Sequence, residues 1–133
     1  MLAVGVDIIE ISRIRKALGK WGARFQARVL TQAEIAYCRG RVPEIAARFA
    51  AKEAVSKALG TGMRGIGWRE IEVLADTRGK PIVRLHGRAR ARADELNFGS
   101  LSISLSHSRN LAVAFVVASP PWEASKGNES RDS

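Results

Sequence analysis

The chain has 133 residues, 46% of them hydrophobic and 26% charged, and carries a net charge of +9. That size and balance fit one compact domain with a real core, and they exclude both a disordered polyelectrolyte and two independent domains. The charge belongs to the body: residues 119–133 hold Lys126 and Arg131 against Glu123, Glu129 and Asp132, so a basic folded surface is expected to meet nucleic acid, anionic membranes, acidic proteins or phosphorylated small molecules.

Leu2 to Ile9 alternates as a strand, with Val4, Val6 and Ile8 on one face and Gly5, Asp7 and Ile9 on the other. Ile11, Ile14 and Leu18 then follow helical spacing, with Arg13, Arg15 and Lys16 on the remaining surface of a short basic helix. After a break at Gly19–Gly22, Phe25, Val29 and Leu30 resume an apolar pattern flanked by Arg24 and Arg28. Thr31-Gln32-Ala33-Glu34 has the form of a capping box and starts another helix. A loop around Arg39 to Pro43 precedes the segment RFAAKEAVSKALGTG, residues 48–62, a helix stopped by glycine.

Ile71–Leu74 and Ile82–Leu85 read as two strands joined by Asp76-Thr77-Arg78-Gly79-Lys80. An arginine- and alanine-rich helix spans Gly87–Asn97, and Leu101–Leu105 with Leu111–Ala118 forms a second hairpin. The order predicts an α+β domain over residues 1–118, an antiparallel sheet with helices packed on one side. From Ser119 the Pro-Pro pair and the polar end predict a flexible tail. No run approaches the roughly 18 apolar residues of a membrane helix, and Met1 to Asp7 lacks the basic start and apolar stretch of a signal sequence. With one cysteine, Cys38, and so no internal disulfide, a cytoplasmic protein free of the membrane is expected.

Ala46, Phe49, Ala50, Glu53 and Lys57 succeed one another at steps of three or four, which places Glu53 on a stripe of small and apolar side chains expected to face inward. A carboxylate there costs several kcal/mol unless it is paired or bound to a cation. An ion pair with Lys57 is one solution. The other is Mg²⁺, held jointly with Asp7, because two carboxylates plus substrate phosphates are a usual magnesium set. Lys57 would serve a phosphate as a compact cation. Gly60-Thr61-Gly62 leaves backbone groups accessible to a phosphate, although a helix C-terminus repels anions and a plain glycine cap explains the segment equally well. His107, at a hairpin turn between Ser106 and Ser108, reads as an exposed turn residue or as a base; no Gly-x-Ser-x-Gly elbow supports a serine hydrolase. The basic helix followed by Arg24, Phe25 and Arg28 suits either a solvated face or an acidic helix of a partner. Arg88, Arg90 and Arg92 keep a nucleic-acid-binding module open as the alternative.

The segments GVDIIEISRI (5–14), RFQARVLT (24–31), RFAAKEAVSKALGTG (48–62), IGWREIEVL (66–74), GKPIV (79–83) and SLSHSRNLAVAFVVA (104–118) together resemble the phosphopantetheinyl transferases of the holo-acyl-carrier-protein synthase type. The resemblance implies transfer of 4'-phosphopantetheine from coenzyme A to a serine of an apo acyl carrier protein, leaving adenosine 3',5'-bisphosphate, in support of fatty acid biosynthesis. It implies Mg²⁺ on Asp7 and Glu53, and a homotrimer with active sites between subunits and no need of nucleic acid or membrane. Arg48, Lys57 and His107 are implied around coenzyme A and its phosphates, joined by Gly60 and Thr61 if the glycine segment meets a phosphate. Arg13, Arg24, Phe25 and Arg28 are implied to receive the carrier's acidic helix. The base for the serine is left open among Asp7, Glu53 and a bound water.

Overall fold

A computed structural model describes residues 1–121 of the chain. The expected tail lies mainly at 122–133, outside the described residues, whereas Ser119 still belongs to the last strand. The strands divide into two antiparallel sheets. In the first, β1 (Ala3–Glu10) pairs with β5 (Leu111–Ser119), which pairs in turn with β4 (Ser100–His107); in the second, β2 (Ile71–Ala75) pairs with β3 (Pro81–Leu85). Helices α1 (Ile11–Trp21), α2 (Ala23–Val29), α3 (Gln32–Cys38) and α4 (Val42–Ala58) separate β1 from β2, and α5 (Gly87–Glu95) follows β3. The α+β architecture is therefore as expected. Among the described residues no helix is long and apolar enough to cross a membrane.

Most element boundaries follow from local chemistry. The capping box forms: Thr31 Oγ1 accepts from the Glu34 amide at 3.2 Å, and Glu34 Oε1 accepts from the Thr31 amide at 2.8 Å. The β2–β3 turn is held by Asp76 Oδ1, which accepts from the amides of Arg78 and Lys80. Two boundaries depart from expectation: helix α1 continues through Gly19 and Lys20 to Trp21, inside the expected break, and stops only at Gly22. Helix α4 starts at Val42, inside the expected loop, because Pro43 stands in its first turn, where a missing N–H is harmless and the fixed φ suits a helix.

Helix α4 is the axis of the molecule. It lies against both sheets and is buried nearly all round, with Ile45, Ala46, Ala50, Ala51, Ala54, Val55 and Leu59 inaccessible to solvent. Its alanines let neighbouring backbones come close, and one crossing is closer still. A Cβ on Gly5 would collide with the carbonyl oxygen of Ala54, so β1 and α4 touch backbone to backbone there. The glycine of the Gly-Val-Asp segment is thereby explained: only a residue without a side chain lets Asp7, two positions on, stand beside α4.

The opposite face of the first sheet is apolar and open. Val4, Val6 and Ile8 of β1 lie in register with Val117, Phe115 and Val113 of β5, and Val4, Val6, Ile8 and Phe115 are all exposed. Ser102, Ser104 and Ser106 continue this face on β4.

Gly5→Ala must displace backbone and not a side-chain tip, so a loss of about 3 kcal/mol is expected, the upper end of overpacking costs. Thermal unfolding of the variant beside the parent chain measures it; an unchanged midpoint would refute the close crossing.

Candidate active site

Where α4 crosses β1, three of the expected residues meet. Lys57 Nζ is 3.1 Å from Asp7 Oδ1 and donates to the Val6 carbonyl at 3.0 Å. Glu53, one turn earlier on α4, is half-buried beside them. The expected Glu53–Lys57 ion pair does not form, because the crossing at Gly5 brings β1 within reach of Lys57 and the ammonium turns to the strand. Among the described residues the Glu53 carboxylate has neither ion pair nor hydrogen bond.

The inward stripe also needs correction. Ala46 and Ala50 are buried, but the stripe leaves the core toward its C-terminal end, so Glu53 is only partly covered and Lys57 is exposed. The charge that does enter the core is Lys52, which was not singled out in the sequence and is 0% exposed together with Glu34. Lys52 Nζ donates to Glu34 Oε1 at 2.7 Å, to the Ile71 carbonyl at 2.6 Å and to the Trp68 carbonyl at 2.9 Å. Burial pulls its pKa down and Glu34 holds it up.

Of the two acids, Asp7 is paired with Lys57 and Glu53 is left unsatisfied. Burial and then the charge of Asp7 push the Glu53 carboxyl above its ordinary range, and Lys57 and Arg13 counter only part of this. A cation would relieve that repulsion. No cluster of three or more metal-ligating side chains occurs among the described residues, so further ligands to such a cation would be phosphate oxygens or water.

The other expected contacts separate into groups. Gly60 follows the end of α4 at φ +75, an ordinary glycine stop, and Thr61 donates its hydroxyl to the Gly62 carbonyl at 2.8 Å. Arg48 lies elsewhere: it is 2% exposed, bonded to Glu44 at 2.8 Å and to the Val73 carbonyl at 3.2 Å, and its guanidinium sits 4.4 Å over the Tyr37 ring. Its Nε and Nη1 are used inside the fold, whereas Nη2 makes no hydrogen bond among the described residues, and we keep its contact with a coenzyme A phosphate as a proposal. His107 is exposed at the end of β4, two strand spacings or roughly 10 Å from β1. The thiol of Cys38 is buried and pushed up to about 11, so it is no nucleophile.

Beside the acid pair lies a second feature. A groove of about 570 Å³ is lined by Trp21, Arg24, Phe25, Arg28, Val29, Phe49 and Trp68. Its floor is a row of stacked rings, Phe25 to Phe49 at 6.3 Å and Phe49 to Trp68 at 4.6 Å. Arg24 and Arg28 stand exposed along it, and Arg13 on α1, also exposed but not part of its lining, acts on Glu53. The arginines of α5, by contrast, are interleaved with acids: Arg88 pairs with Glu70, Arg90 with Asp94 and Arg92 with Glu95. They form no uninterrupted cationic track.

Residues 3–116 match the model of the 4'-phosphopantetheinyl transferase superfamily. The holo-[acyl-carrier-protein] synthase of Herpetosiphon aurantiacus is 56% identical, over 88% of this chain and 98% of that protein. Among solved structures, the Helicobacter pylori holo-[acyl-carrier-protein] synthase in complex with coenzyme A superposes with a TM-score of 0.80 at 35% identity, covering 87% of this chain and 99% of the other. The Neisseria meningitidis holo-[acyl-carrier-protein] synthase gives 0.81 at 36% identity, with coverages of 88% and 97%.

The raised Glu53 pKa has a signed consequence for the metal-free chain. Stability is full below the ordinary glutamate value of 4.5 and is lost as pH rises through the higher folded value. With chelator present, Glu53→Gln is therefore expected to be more stable than the parent at pH 7 and to match it below the ordinary value, by thermal melts across pH. A variant less stable at pH 7 would show that the carboxylate is satisfied in the fold.

Proposed function

The chain belongs to the 4'-phosphopantetheinyl transferase superfamily and transfers phosphopantetheine from coenzyme A to an apo acyl carrier protein, and we propose that Asp7, Glu53 and Lys57 carry this transfer together with Mg²⁺. One observation carries the proposal: two carboxylates from distant parts of the sequence meet beside an ammonium, and one of them has no partner among the described residues. Asp7 and Glu53 would hold the ion, with phosphate oxygens and water as its other ligands, and these oxygen donors fit Mg²⁺. When bound, it supplies charge neutralisation across the diphosphate.

The chain's own groups do the rest. Gly5 sets Asp7 against α4, and α4 sets Glu53 and Lys57 one turn apart on the side that meets β1. The exposed ammonium of Lys57 faces the charge that accumulates as the bridging oxygen departs. The carrier's serine oxygen bonds to the phosphorus of the arm, the bond from that phosphorus to the bridging oxygen breaks, and adenosine 3',5'-bisphosphate leaves as the serine proton passes to a base. Gly60 and Thr61 border Lys57 at the end of α4, and we keep them as contacts to the donor's phosphates.

Arg13, Arg24, Phe25 and Arg28 are proposed to dock the carrier. Cations around a partly open aromatic groove suit an acidic amphipathic helix, whose apolar side chains enter the groove while its carboxylates meet the arginines. The charge of Arg13 acts on Glu53, and Phe49 of the groove lies one turn before Glu53 on α4, so a carrier in the groove would present its acceptor serine toward the acid pair.

We further propose a cytoplasmic homotrimer built on the open sheet face. Exposures of 60% for Val4, 49% for Val6, 60% for Ile8 and 45% for Phe115 make a contiguous apolar surface of the kind that marks an interface. His107 lies off its own chain's acid pair, on the outer strand of the same sheet, so its contact with coenzyme A is proposed to reach the site of a neighbouring copy.

Intact-mass spectrometry of an apo carrier protein incubated with the chain, coenzyme A and Mg²⁺ is expected to show a gain of one phosphopantetheine arm, lost with EDTA and reduced at least a hundredfold by Glu53→Gln, the scale for removing transition-state charge stabilisation. Persistent transfer with either change would refute the metal assignment. Placing Val6→Lys and Phe115→Lys together on the open face is expected to yield monomers by light scattering and to abolish transfer; a fully active monomer would refute the shared site.

A further inference from the structure

The buried Lys52 touches none of the reacting groups, and for stability alone a methionine of similar volume would serve as well without the desolvation of an ammonium. What the ammonium adds is direction: three donors in fixed places. One goes to Glu34, and the other two go to the carbonyls of Trp68 and Ile71. Those two carbonyls bracket the turn that enters β2, and the first belongs to the residue whose ring ends the aromatic floor of the groove. Glu34 fixes the far side of the same turn, since its Oε2 accepts from the Val73 amide at 2.8 Å.

We propose that Lys52 is a positioning residue for the carrier protein: by gripping the Trp68 carbonyl it sets the Trp68 ring against Phe49 and so shapes the groove between Arg24 and Arg28. The inference rests on the groove being the carrier's docking surface. Phe49, Lys52 and Glu53 lie on one stretch of α4, but the bonds of Lys52 run to α3 and to the turn that enters β2, and none reaches β1. Loosening these bonds moves the acceptor's groove while leaving Asp7, Glu53 and Lys57 in place, so acceptor and donor affinities separate.

The test variant is Lys52→Met/Glu34→Gln, which removes both charges and leaves neither buried ion alone. With folding checked by circular dichroism, KM for the carrier is expected to rise about tenfold, the effect of truncating an interface contact, while KM for coenzyme A and kcat at saturating carrier stay within about twofold. Trp68→Leu in the parent chain should reproduce the same one-sided rise. A folded double variant with unchanged carrier KM, equal rises in both KM values, or an unchanged carrier KM in Trp68→Leu would each overturn the proposal, the last whether or not the double variant folds. Parent protein that leaves the carrier unmodified would instead reject the transferase reading, so the two failures are distinguishable.

Discussion

The most demanding constraint in this molecule is one ammonium taken out of water. Lys52 is enclosed in the core, and it is tolerable there because its three donors are all used, one on a carboxylate that is itself fully bonded. Removing one partner of such a pair costs about 3–5 kcal/mol because the other charge is stranded. The pair also spans the fold. Glu34 closes the cap of α3, anchors Val73 of β2 and takes the proton donor of α4, so three elements distant in sequence are locked at a single point.

The lock leaves α4 free to serve two sites at once. Near its C-terminal end, the missing side chain of Gly5 admits β1 so closely that Asp7 joins Glu53 and Lys57. One turn or so earlier, Phe49 lies between Phe25 and Trp68 as the middle of the aromatic floor. In the proposed reading the donor site and the carrier's groove share one rigid rod, and their separation is set by helical rise rather than by a loop.

Charge is arranged with the same economy. The acid pair sits in a basic protein with Arg13 at its border, so an anionic donor and an acidic acceptor are both drawn to one place. The arginines of α5 answer acids of their own chain and contribute little to that field, since exposed pairs are worth roughly 0–1 kcal/mol and cancel in charge. The apolar side of the first sheet carries none of these charges apart from Glu10 at its end, which suits it to meet other copies of the chain.

Local rules were enough for the elements. Alternation located β1 and β4, the apolar run Leu111–Ala118 located β5, the Thr31–Glu34 box located the start of α3, and the turn chemistry at Asp76–Lys80 located the β2–β3 hairpin. The Gly-x-Asp and Lys-Glu-Ala segments also marked Asp7 and Glu53 as candidates before any geometry was known. Three things were not legible, each because it depends on which surfaces touch. Helical spacing paired Glu53 with Lys57, but it cannot register that a strand 50 residues away offers Lys57 a carbonyl and a carboxylate. Arg48 and Lys52 look alike as cations on one helix, and only packing shows that both are turned into the fold. The groove joins α2, α4 and the turn before β2 across more than 40 residues, so no window of sequence contains it. Sequence by itself determined the elements and the chemical candidates, since these follow from side-chain period and local hydrogen bonding. Tertiary structure alone decided which charges pair, which are buried and which stay exposed, because those outcomes are set by contacts between segments that the chain order keeps apart.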